Sequence, residues 1–280
     1  MKNSVGTPMQ RPCKVIGFIT DFGTSDPYVA AMKGVALDIC PDVRLVDITH
    51  DVPSFDIERA AFILLTAYRY FPRGTIFVVV VDPGVGGQRR AIAIATKNYY
   101  FVGPDNGVLV PAAEDDGIER VVVLDNDLYF RKPVSASFHG RDIFTPVAAW
   151  LACGTPLELL GTRVSVETLV RPRLRIWHKL SNGCVELEVL HIDKFGNVIL
   201  SQRFSEVVKE LKASLGSSIT VRCKEGVYTA RIERVFSVVP PGTLVLYEDS
   251  FGFAELAVNR GSAQELLRVS RGDRVALCIG

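Results

Sequence analysis

The segment TIFVVVVDPGVGGQRR, residues 75–90, joins an apolar run to a glycine-rich loop. The run Thr75–Val81 is rich in β-branched residues and follows a turn, which predicts a strand buried on both faces of a parallel sheet. Asp82 would then stand at the carboxyl end of a central strand, where open α/β sheets bind their ligands. Because Arg89 and Arg90 close the same loop, we expect a charged site at this edge of the sheet. A glycine turn with surface charges is the simpler alternative.

The loop itself contains Pro83 and glycines at positions 84, 86 and 87. These residues let the backbone turn sharply and approach a ligand without an intervening Cβ atom. The string GVGG matches neither GxGxxG nor GxxxxGK[ST], so the loop predicts neither a dinucleotide site nor a nucleoside triphosphate site.

Composition indicates an ordinary globular protein of two domains. The 280 residues are many for a single core, and 48% of them are hydrophobic against 22% charged. The formal net charge is +1, and no basic run is interleaved with aromatic residues, so nothing indicates a nucleic-acid partner.

The cysteines and the N-terminus give two expectations about environment. The six cysteines are scattered without CxxC pairs, which predicts neither a zinc cage nor a dense disulfide framework but free thiols in a reducing compartment. Residues 1–14 contain no apolar stretch of the signal-peptide type, and no apolar run approaches the roughly 18 residues that span a bilayer. We therefore expect a cytoplasmic protein without a membrane partner.

Strand and helix patterns alternate through the first half of the chain. The order strand, helix, strand, helix, strand implies a parallel sheet with right-handed crossovers. The first helix should be capped by Ser25 or Asp26 with Pro27 at its first position, and the second by Ser54 or Asp56. We expect an α/β fold of the Rossmann-like kind, with a mostly parallel sheet flanked by helices. Its strands should lie at 15–20, 44–48, 75–81, 91–95, 99–102 and 121–124, and its helices at 28–39, 56–71, 108–113 and 143–152.

The second half of the chain changes character. Cys184–Asp193 alternates apolar and polar residues, as a half-solvated antiparallel strand does. Further short strands and one helix, at about Ser205–Leu215, suggest a smaller antiparallel β-barrel. We divide the chain into a flexible segment 1–13, an α/β domain 14–170, a linker 171–180 and a barrel domain 181–280.

His139 lies in the polar segment SFHGRD, residues 137–142, directly before an apolar helix. A histidine in a loop at a helix N-terminus is well placed for catalysis. Its position alone fits equally well a histidine that only satisfies a backbone carbonyl.

Six blocks of the sequence resemble, in the same order, one known family. They are TDFGTSDPYVAAMKG at 20–34, VVDPGVGGQRR at 80–90, GPDNG at 103–107, FHGRDIF at 138–144, IDKFGNV at 192–198 and SFGFAELAVNRGSA at 250–263. The family is the S-adenosyl-L-methionine (SAM) hydrolases that form adenosine, also called SAM hydroxide adenosyltransferases. It is related to the fluorinase and chlorinase that act on SAM. The resemblance covers most of the chain.

This resemblance implies hydrolysis of SAM to adenosine and L-methionine by attack of an activated water at C5′, with no metal and no cofactor beside the substrate. It implies a catalytic triad of Asp82, Arg89 and His139. A fixed cation such as Arg89 lowers the pKa of a water, and His139 can take or relay the proton. Asp82 can orient the cationic pair and accept a hydrogen bond from the water. The leaving group is a neutral thioether, so no acid is required.

A substrate-binding set is implied as well. Asp21 would bind the ribose hydroxyls, since a carboxylate accepts two hydrogen bonds, and Asn197 would bind an adenine edge. The other members would bind methionine (Asp26, Asp193 and Ser250) or adenosine (Phe55, Phe236 and backbone groups near Asn259 and Arg260). Considered without the resemblance, Asp21 and Asp26 could be helix caps, Asn197 a turn former and the two phenylalanines core residues.

Two positions bear on the nucleophile and on the substrate carboxylate. The halogenating relatives have an aromatic residue in place of Asp82 and a serine in place of Gly140, so the residues here favour water over halide. Those relatives also place an arginine after the carboxylate-binding serine, where this chain has Phe251. Carboxylate binding here should then rely on Ser250 and backbone amides.

The implied ligands come from both halves of the chain, so the site should form where an N-terminal and a C-terminal domain meet. In this family that junction lies between subunits, which implies a homotrimer. Three alternatives stay open: a non-catalytic adenosine or SAM sensor, a halide-using 5′-halo-5′-deoxyadenosine synthase, and a metal-dependent hydrolase. The last would use Asp21, Asp82, Asp105, His139 and Asp142, but no HxH, HExxH or DxDxDG spacing supports it.

Overall fold

The computed structural model of the protein describes residues 11–172, 178–181 and 183–279. These residues form two compact units, which divide after residue 173. Most of the predicted flexible segment 1–13, and the centre of the predicted linker 171–180, lie outside the described residues.

The N-terminal unit is built on a sheet of β1 (Val15–Thr20), β2 (Arg44–Thr49), β3 (Ile76–Val80), β4 (Ala91–Thr96), β5 (Tyr100–Pro104), β6 (Ile118–Val123) and β7 (Thr162–Val164). The strand order is β2-β1-β3-β5-β4-β6-β7. The first four strands of this order are parallel, whereas β4, β6 and β7 run antiparallel to their neighbours. A tight turn joins β4 to β5, and so short a connection permits only an antiparallel pair. The expected α/β sheet is confirmed.

Helices pack on this sheet: α1 (Tyr28–Ile39), α2 (Ile57–Ala67), α3 (Val110–Asp116) and α4 (Thr145–Ala152). Asp56 caps α2, since its side chain accepts a hydrogen bond from the Arg59 amide at 3.0 Å. The predicted capping of α1 by Ser25 or Asp26 is wrong, because Pro27 is the N-cap residue and makes no side-chain cap. The fixed φ of proline starts this helix without a capping side chain. No helix in the described part of the chain is long and apolar enough to cross a membrane.

The central strand β3 has all five of its side chains buried. Ile76, Val78 and Val80 pack into the core that α1 and α4 share. Phe77 points to the other face, where its ring stacks on that of Phe101 at 5.4 Å between centroids. The prediction of a strand with two buried faces is therefore confirmed, and its carboxyl end leads into the glycine-rich loop.

The C-terminal unit contains β8 (His178–Ser181), β9 (Cys184–Ile192), β10 (Val198–Arg203), α5 (Phe204–Leu211), β11 (Ser218–Cys223), β12 (Gly226–Ile232), β13 (Leu244–Glu248), β14 (Phe253–Val258), α6 (Ala263–Leu267) and β15 (Arg274–Ile279). β10 pairs with both β14 and β9, which closes seven strands into a barrel, and β8 extends β9 outside that ring. The predicted barrel is confirmed, but it is mixed, because β12 and β13 are parallel. The connection at 233–243 is long enough to return the chain to the same end of the barrel.

Two disulfide bonds correct the expectation of free thiols. Cys40 at the end of α1 is bonded to Cys153 at the end of α4, and Cys184 of β9 is bonded to Cys278 of β15. The partners are 113 and 94 residues apart in sequence, so only the packing of distant elements brings them together. Local cysteine spacing carries no information about such pairs.

Candidate active site

A cavity of about 420 Å³ opens in the N-terminal unit beyond the ends of β1 and β3. Four predicted site residues line it, namely Asp21, Phe55, Asp82 and His139. The other lining residues are Phe22, Tyr28, Ser54, Val80, Val85, Ser137, Phe138 and Gly140. The carboxyl ends of parallel strands thus provide a concave site, as is usual for open α/β sheets.

The side chains of Asp82, Arg89 and His139 are in contact. Nε of Arg89 donates to Oδ1 and Oδ2 of Asp82 at 3.1 and 2.9 Å, and Nη2 donates to Oδ2 at 2.5 Å. Nη2 also donates to Nδ1 of His139 at 2.8 Å. The side chains of Asp82 and Arg89 are only 4% and 11% exposed, so this ion pair is shielded from bulk water. Arg89 therefore bridges the carboxylate and the imidazole.

The hydrogen bond from Arg89 fixes the protonation state of His139. A guanidinium can only donate, so Nδ1 must accept, which requires a neutral imidazole with its proton on Nε2. Burial and the Arg89 charge lower the pKa of His139, and the carboxylates of Asp82 and Asp142 oppose them only in part. At neutral pH the second ring nitrogen of His139 is therefore an N–H donor.

A close backbone contact holds the glycine-rich loop against the segment that carries His139. Gly86 has φ +73°, and a Cβ atom on it would lie 2.3 Å from the carbonyl oxygen of Ala136. Only glycine permits both the left-handed conformation and this approach. The GVGG string thus serves to pack two loops together.

Asp142 anchors the segment that carries His139 through buried hydrogen bonds. It is fully buried, and its carboxylate accepts hydrogen bonds from the Ser135 amide at 2.9 Å and from two nitrogens of Arg141 at 2.7 and 2.8 Å. Burial alone would raise the pKa of Asp142, but the hydrogen bonds from Arg141 and Ser135 lower it overall. The carboxylate remains ionised at neutral pH and acts as a structural anchor.

Asp21 holds Phe55 in an unusual backbone conformation. Oδ2 of Asp21 accepts a hydrogen bond from the Phe55 amide at 2.9 Å, and Phe55 has φ +68°, which residues other than glycine seldom adopt. The Phe55 side chain is nevertheless 67% exposed, so core packing does not explain it. Strained residues of this kind concentrate at ligand sites. The helix-cap role considered for Asp21 is not observed.

Three aromatic side chains that sequence reasoning missed form one wall of the cavity. The rings of Phe22, Tyr28 and Phe138 lie 5.4 to 5.9 Å apart between centroids, in tilted and T-shaped arrangements. Such a wall suits an apolar or cationic ligand group. A signal was present in the sequence, since Phe22 follows Asp21 and Phe138 precedes His139.

Several carboxylates of the N-terminal unit lie away from the cavity. Asp26 is exposed, does not line the cavity and does not cap α1. Asp105 accepts hydrogen bonds from Arg90 at 2.8 Å and from the Val170 amide at 3.0 Å, which fixes the backbone at residue 170. Within the described part of the chain, no group of three or more His, Cys, Asp or Glu side chains is placed to hold a metal ion.

In the C-terminal unit, three predicted residues belong to one cluster on the outside of the barrel. Nδ2 of Asn197 donates to Oδ2 of Asp193 at 3.0 Å. Asn197 also hydrogen-bonds to Glu255, which accepts a hydrogen bond from the hydroxyl of Tyr247. The ring of Phe236 meets that of Tyr247 at 6.0 Å between centroids. Sequence reasoning missed Tyr247 and Glu255, because they become neighbours only through strand pairing.

The remaining predicted residues of the C-terminal unit are Asn259, Arg260 and Ser250, and they differ in exposure and in hydrogen bonding. Nδ2 of Asn259 donates to the Val239 carbonyl at 2.6 Å, so this side chain serves the barrel. Arg260 is exposed and has φ +58°. Ser250 is exposed in the turn after β13, and Arg203 reaches the same turn, with Nη1 donating to the Phe251 carbonyl at 2.5 Å. The side chain of Arg203, from the end of β10, thus lies at the turn that holds Ser250.

Comparison with known proteins agrees with this architecture. The models of the SAM hydroxide adenosyltransferase N-terminal and C-terminal domains match residues 16–161 and 187–276. A Salinispora arenicola protein named (R)-S-adenosyl-L-methionine hydrolase is 41% identical over 95% of this chain and 98% of its own. A fluorinase of Actinoplanes sp. is 28% identical over 88% of this chain and 91% of its own. The crystal structure of a conserved Thermotoga maritima protein superposes with a TM-score of 0.89 at 40% identity, covering 94% of this chain and 99% of that one. The chain therefore belongs to the SAM hydroxide adenosyltransferase family.

Proposed function

We propose that the protein hydrolyses SAM to adenosine and L-methionine by in-line attack of water at C5′. The observation that carries this proposal is the Arg89 bridge between Asp82 and His139, beside an aromatic-lined cavity. Membership of the family supports the same reaction, since a relative that is 41% identical is named a SAM hydrolase.

In the proposed mechanism, a water lies between Asp82 and His139. Nε2–H of His139 donates to the water oxygen, and an oxygen of Asp82 accepts one of its protons. Nδ1 of His139 already accepts from Arg89, so the proton released as the C5′–O bond forms passes toward Asp82. Arg89 neutralises the ground-state charge of Asp82 and orients both partners.

The substrate itself makes the rest of the reaction easy. The C5′–S electron pair leaves on a neutral thioether, so no group need protonate it. The aromatic wall of Phe22, Tyr28 and Phe138 would accommodate the sulfonium. The sulfonium charge disappears as the bond breaks, so this wall holds the cationic substrate more strongly than the neutral thioether product and does not retain methionine.

Water is preferred over halide as the nucleophile because of Asp82 and Gly140. Asp82 puts a carboxylate beside the nucleophile, and a carboxylate repels a halide ion. A Cβ atom on Gly140 would meet Met32 Sδ at 3.3 Å, Val80 Cγ1 at 3.4 Å and Phe138 Cε2 at 3.5 Å, which leaves little room for a halide-binding side chain. This crowding supports the hydrolase over the halide-using synthase.

The remaining substrate contacts belong to the same proposal. Asp21 and Phe55 would hold the ribose and the adenosine from the N-terminal unit. Asn197, Phe236 and Asp193 would contribute from the C-terminal unit.

We also propose the homotrimer, which light scattering would reveal as three times the 30.7 kDa of one chain. The predicted cytoplasmic location is tested by cell fractionation. The two disulfides argue against it, because the cytoplasm is usually a reducing compartment.

The deciding experiment is incubation of purified, chelator-treated protein with (R)-SAM in ¹⁸O-water, with and without chloride. We expect adenosine that carries one ¹⁸O at the 5′ position and unlabelled methionine. Unchanged SAM together with tight binding would support the sensor instead. A 5′-chloro product would support the synthase, and activity lost on chelation and restored by magnesium would support the metal-dependent hydrolase.

A further inference from the structure

Glu255 is a buried acid on the outside of the barrel. Its sequence neighbours Ala254 and Leu256 point into the barrel core, so the side chain of Glu255 must point outward. An outward-facing glutamate is normally solvated, yet Glu255 is only 4% exposed. A covering layer of other residues therefore encloses it, and that layer includes Asn197 and Tyr247.

The register of the strands explains how this layer forms. Tyr247 of β13 is the direct cross-strand partner of Glu255, and Ile199 of β10 faces Glu255 from the other side. The Tyr247 hydroxyl donates to Oε1 of Glu255. Asn197 stands two residues before Ile199, and its side chain reaches the same carboxyl group. Glu255 thus binds one donor from each neighbouring strand region.

Asn197 is fixed by this arrangement from two sides. Nδ2 donates to Oδ2 of Asp193 at 3.0 Å, while Oδ1 of Asp193 accepts from the amides of Phe195 and Asn197 at 2.8 and 2.9 Å. The hydrogen bond with Glu255 adds a second anchor. An amide held by two acceptors cannot rotate without losing one of them, so the orientation of its oxygen is set.

We propose that Glu255, itself held by Tyr247, is a positioning residue that orients the Asn197 side chain for recognition of the adenine amino group. Glu255 does not touch the substrate and acts through Asn197. This inference rests on the proposed function, because it takes Asn197 to contact the adenine ring of SAM. It names the chemical feature that Asn197 reads, which is an exocyclic amino group that can donate to Oδ1.

The charges around Glu255 make its effect depend on pH. Burial and the carboxylates of Asp249 and Asp193 raise the pKa of Glu255 to about 7, although hydrogen bonds from Tyr247 and Asn197 oppose the rise. Burial and the Glu255 hydrogen bond raise the pKa of Tyr247, so its hydroxyl remains a donor through this range. As pH falls through about 7, Glu255 gains a proton and loses part of its capacity to accept from Asn197.

The test compares the wild type with Glu255→Gln and Tyr247→Phe. Glutamine has one acceptor oxygen where the carboxylate has two, so it cannot serve Tyr247 and Asn197 as the carboxylate does. Glu248→Gln is the matched control, since Glu248 is exposed on the neighbouring strand. The substrates are SAM and its analogue with purine in place of adenine, which lacks the exocyclic amino group. Adenosine binding is measured by calorimetry, and melting temperatures confirm folding.

We expect Glu255→Gln to raise KM for SAM and Kd for adenosine about tenfold with kcat nearly unchanged, the pattern of a lost binding interaction. Its preference for SAM over the purine analogue should largely disappear, and KM should no longer rise as pH falls through about 7. Tyr247→Phe should move the same quantities in the same direction by a smaller factor. Glu248→Gln should change none of them.

A folded Glu255→Gln variant with wild-type KM, wild-type adenosine affinity and wild-type preference would overturn the inference. Loss of kcat with unchanged KM and preference would also overturn it, because that pattern indicates a general structural role. The calorimetric arm separates this inference from the proposed function. A wild type that binds adenosine without hydrolysing SAM would refute the hydrolase, and the comparison of adenosine affinities would still decide the role of Glu255.

Discussion

Nη2 of Arg89 donates hydrogen bonds to Nδ1 of His139 at 2.8 Å and to Oδ2 of Asp82 at 2.5 Å. One terminal nitrogen therefore contacts both the carboxylate and the imidazole. A lysine ammonium could donate to both groups from one nitrogen, but it has no counterpart of Nε, which donates to both oxygens of Asp82 at 3.1 and 2.9 Å and fixes the angle of the pair. The relative orientation of Asp82 and His139 thus depends on the shape of a guanidinium.

We expect Arg89→Lys to lower kcat about a hundredfold, as loss of correct positioning does, while adenosine still binds with nearly wild-type affinity. Steady-state kinetics and calorimetry measure the two effects. Asp21→Ala serves as the contrasting variant, because it should weaken adenosine binding first. Equal loss of adenosine affinity in both variants would contradict this division of roles.

The protonation of His139 predicts the pH profile of kcat. Burial and Arg89 lower the pKa of His139 below 6.5, and the neutral ring is the form that accepts from Arg89. We expect kcat to fall as pH drops through that lowered pKa and to be flat above neutral pH. His139→Gln should remove the acidic limb. A kcat that rises tenfold per pH unit above pH 7 would instead indicate that free hydroxide is the nucleophile.

Gly86→Ala should reduce both stability and turnover. Alanine at φ +73° is strained by about 1 kcal/mol, and its Cβ atom, 2.3 Å from the Ala136 oxygen, forces the two loops apart. Gly154→Ala is the matched control, because Gly154 also has positive φ but nothing within 4 Å of a built Cβ atom. The melting temperature should fall for both variants, whereas kcat should fall only for Gly86→Ala. Equal kcat values in the two variants would mean that the loop contact does not position the triad.

Burial of Glu255 predicts a trade between stability and recognition. Its pKa is raised in the folded state from 4.5 to about 7, so its stabilising contribution is complete below pH 4.5 and is lost as pH rises through 7. Glu255→Gln has no charge to bury, and we expect its melting temperature at pH 8 to exceed that of the wild type. The gain should vanish near pH 4.5. A melting temperature below that of the wild type at pH 8 would show that the ionised carboxylate stabilises the barrel.

Reduction of the two disulfides should destabilise the protein. The chain-entropy model assigns a cross-link that closes a loop of about 100 residues a stabilisation on the order of 4 kcal/mol, and these loops span 113 and 94 residues. We expect a lower melting temperature with a strong reductant present, and part of that loss in a variant with Cys184→Ser and Cys278→Ser. Six titratable thiols in the denatured, unreduced protein would refute both bonds.

Local sequence patterns predicted the elements closest to the site. The strand Val15–Thr20 and the helix Tyr28–Ile39 have the predicted bounds, because apolar periodicity and a flanking proline act on neighbouring residues. The contact of Arg89 with Asp82 also follows from one short loop. In contrast, the partnership of Tyr247 with Glu255 depends on strand register, which no local pattern encodes.

The first and last strands of the barrel, β9 and β15, are neighbours, and Cys184 lies opposite Cys278. Their covalent bond turns this stretch of chain into a closed ring. A short linker could join the two ends, and new termini could be opened in the hairpin at residues 224–225 without removing a strand pair. We therefore expect the barrel to tolerate circular permutation, because a permuted chain would retain the same strand pairs in a different sequence order.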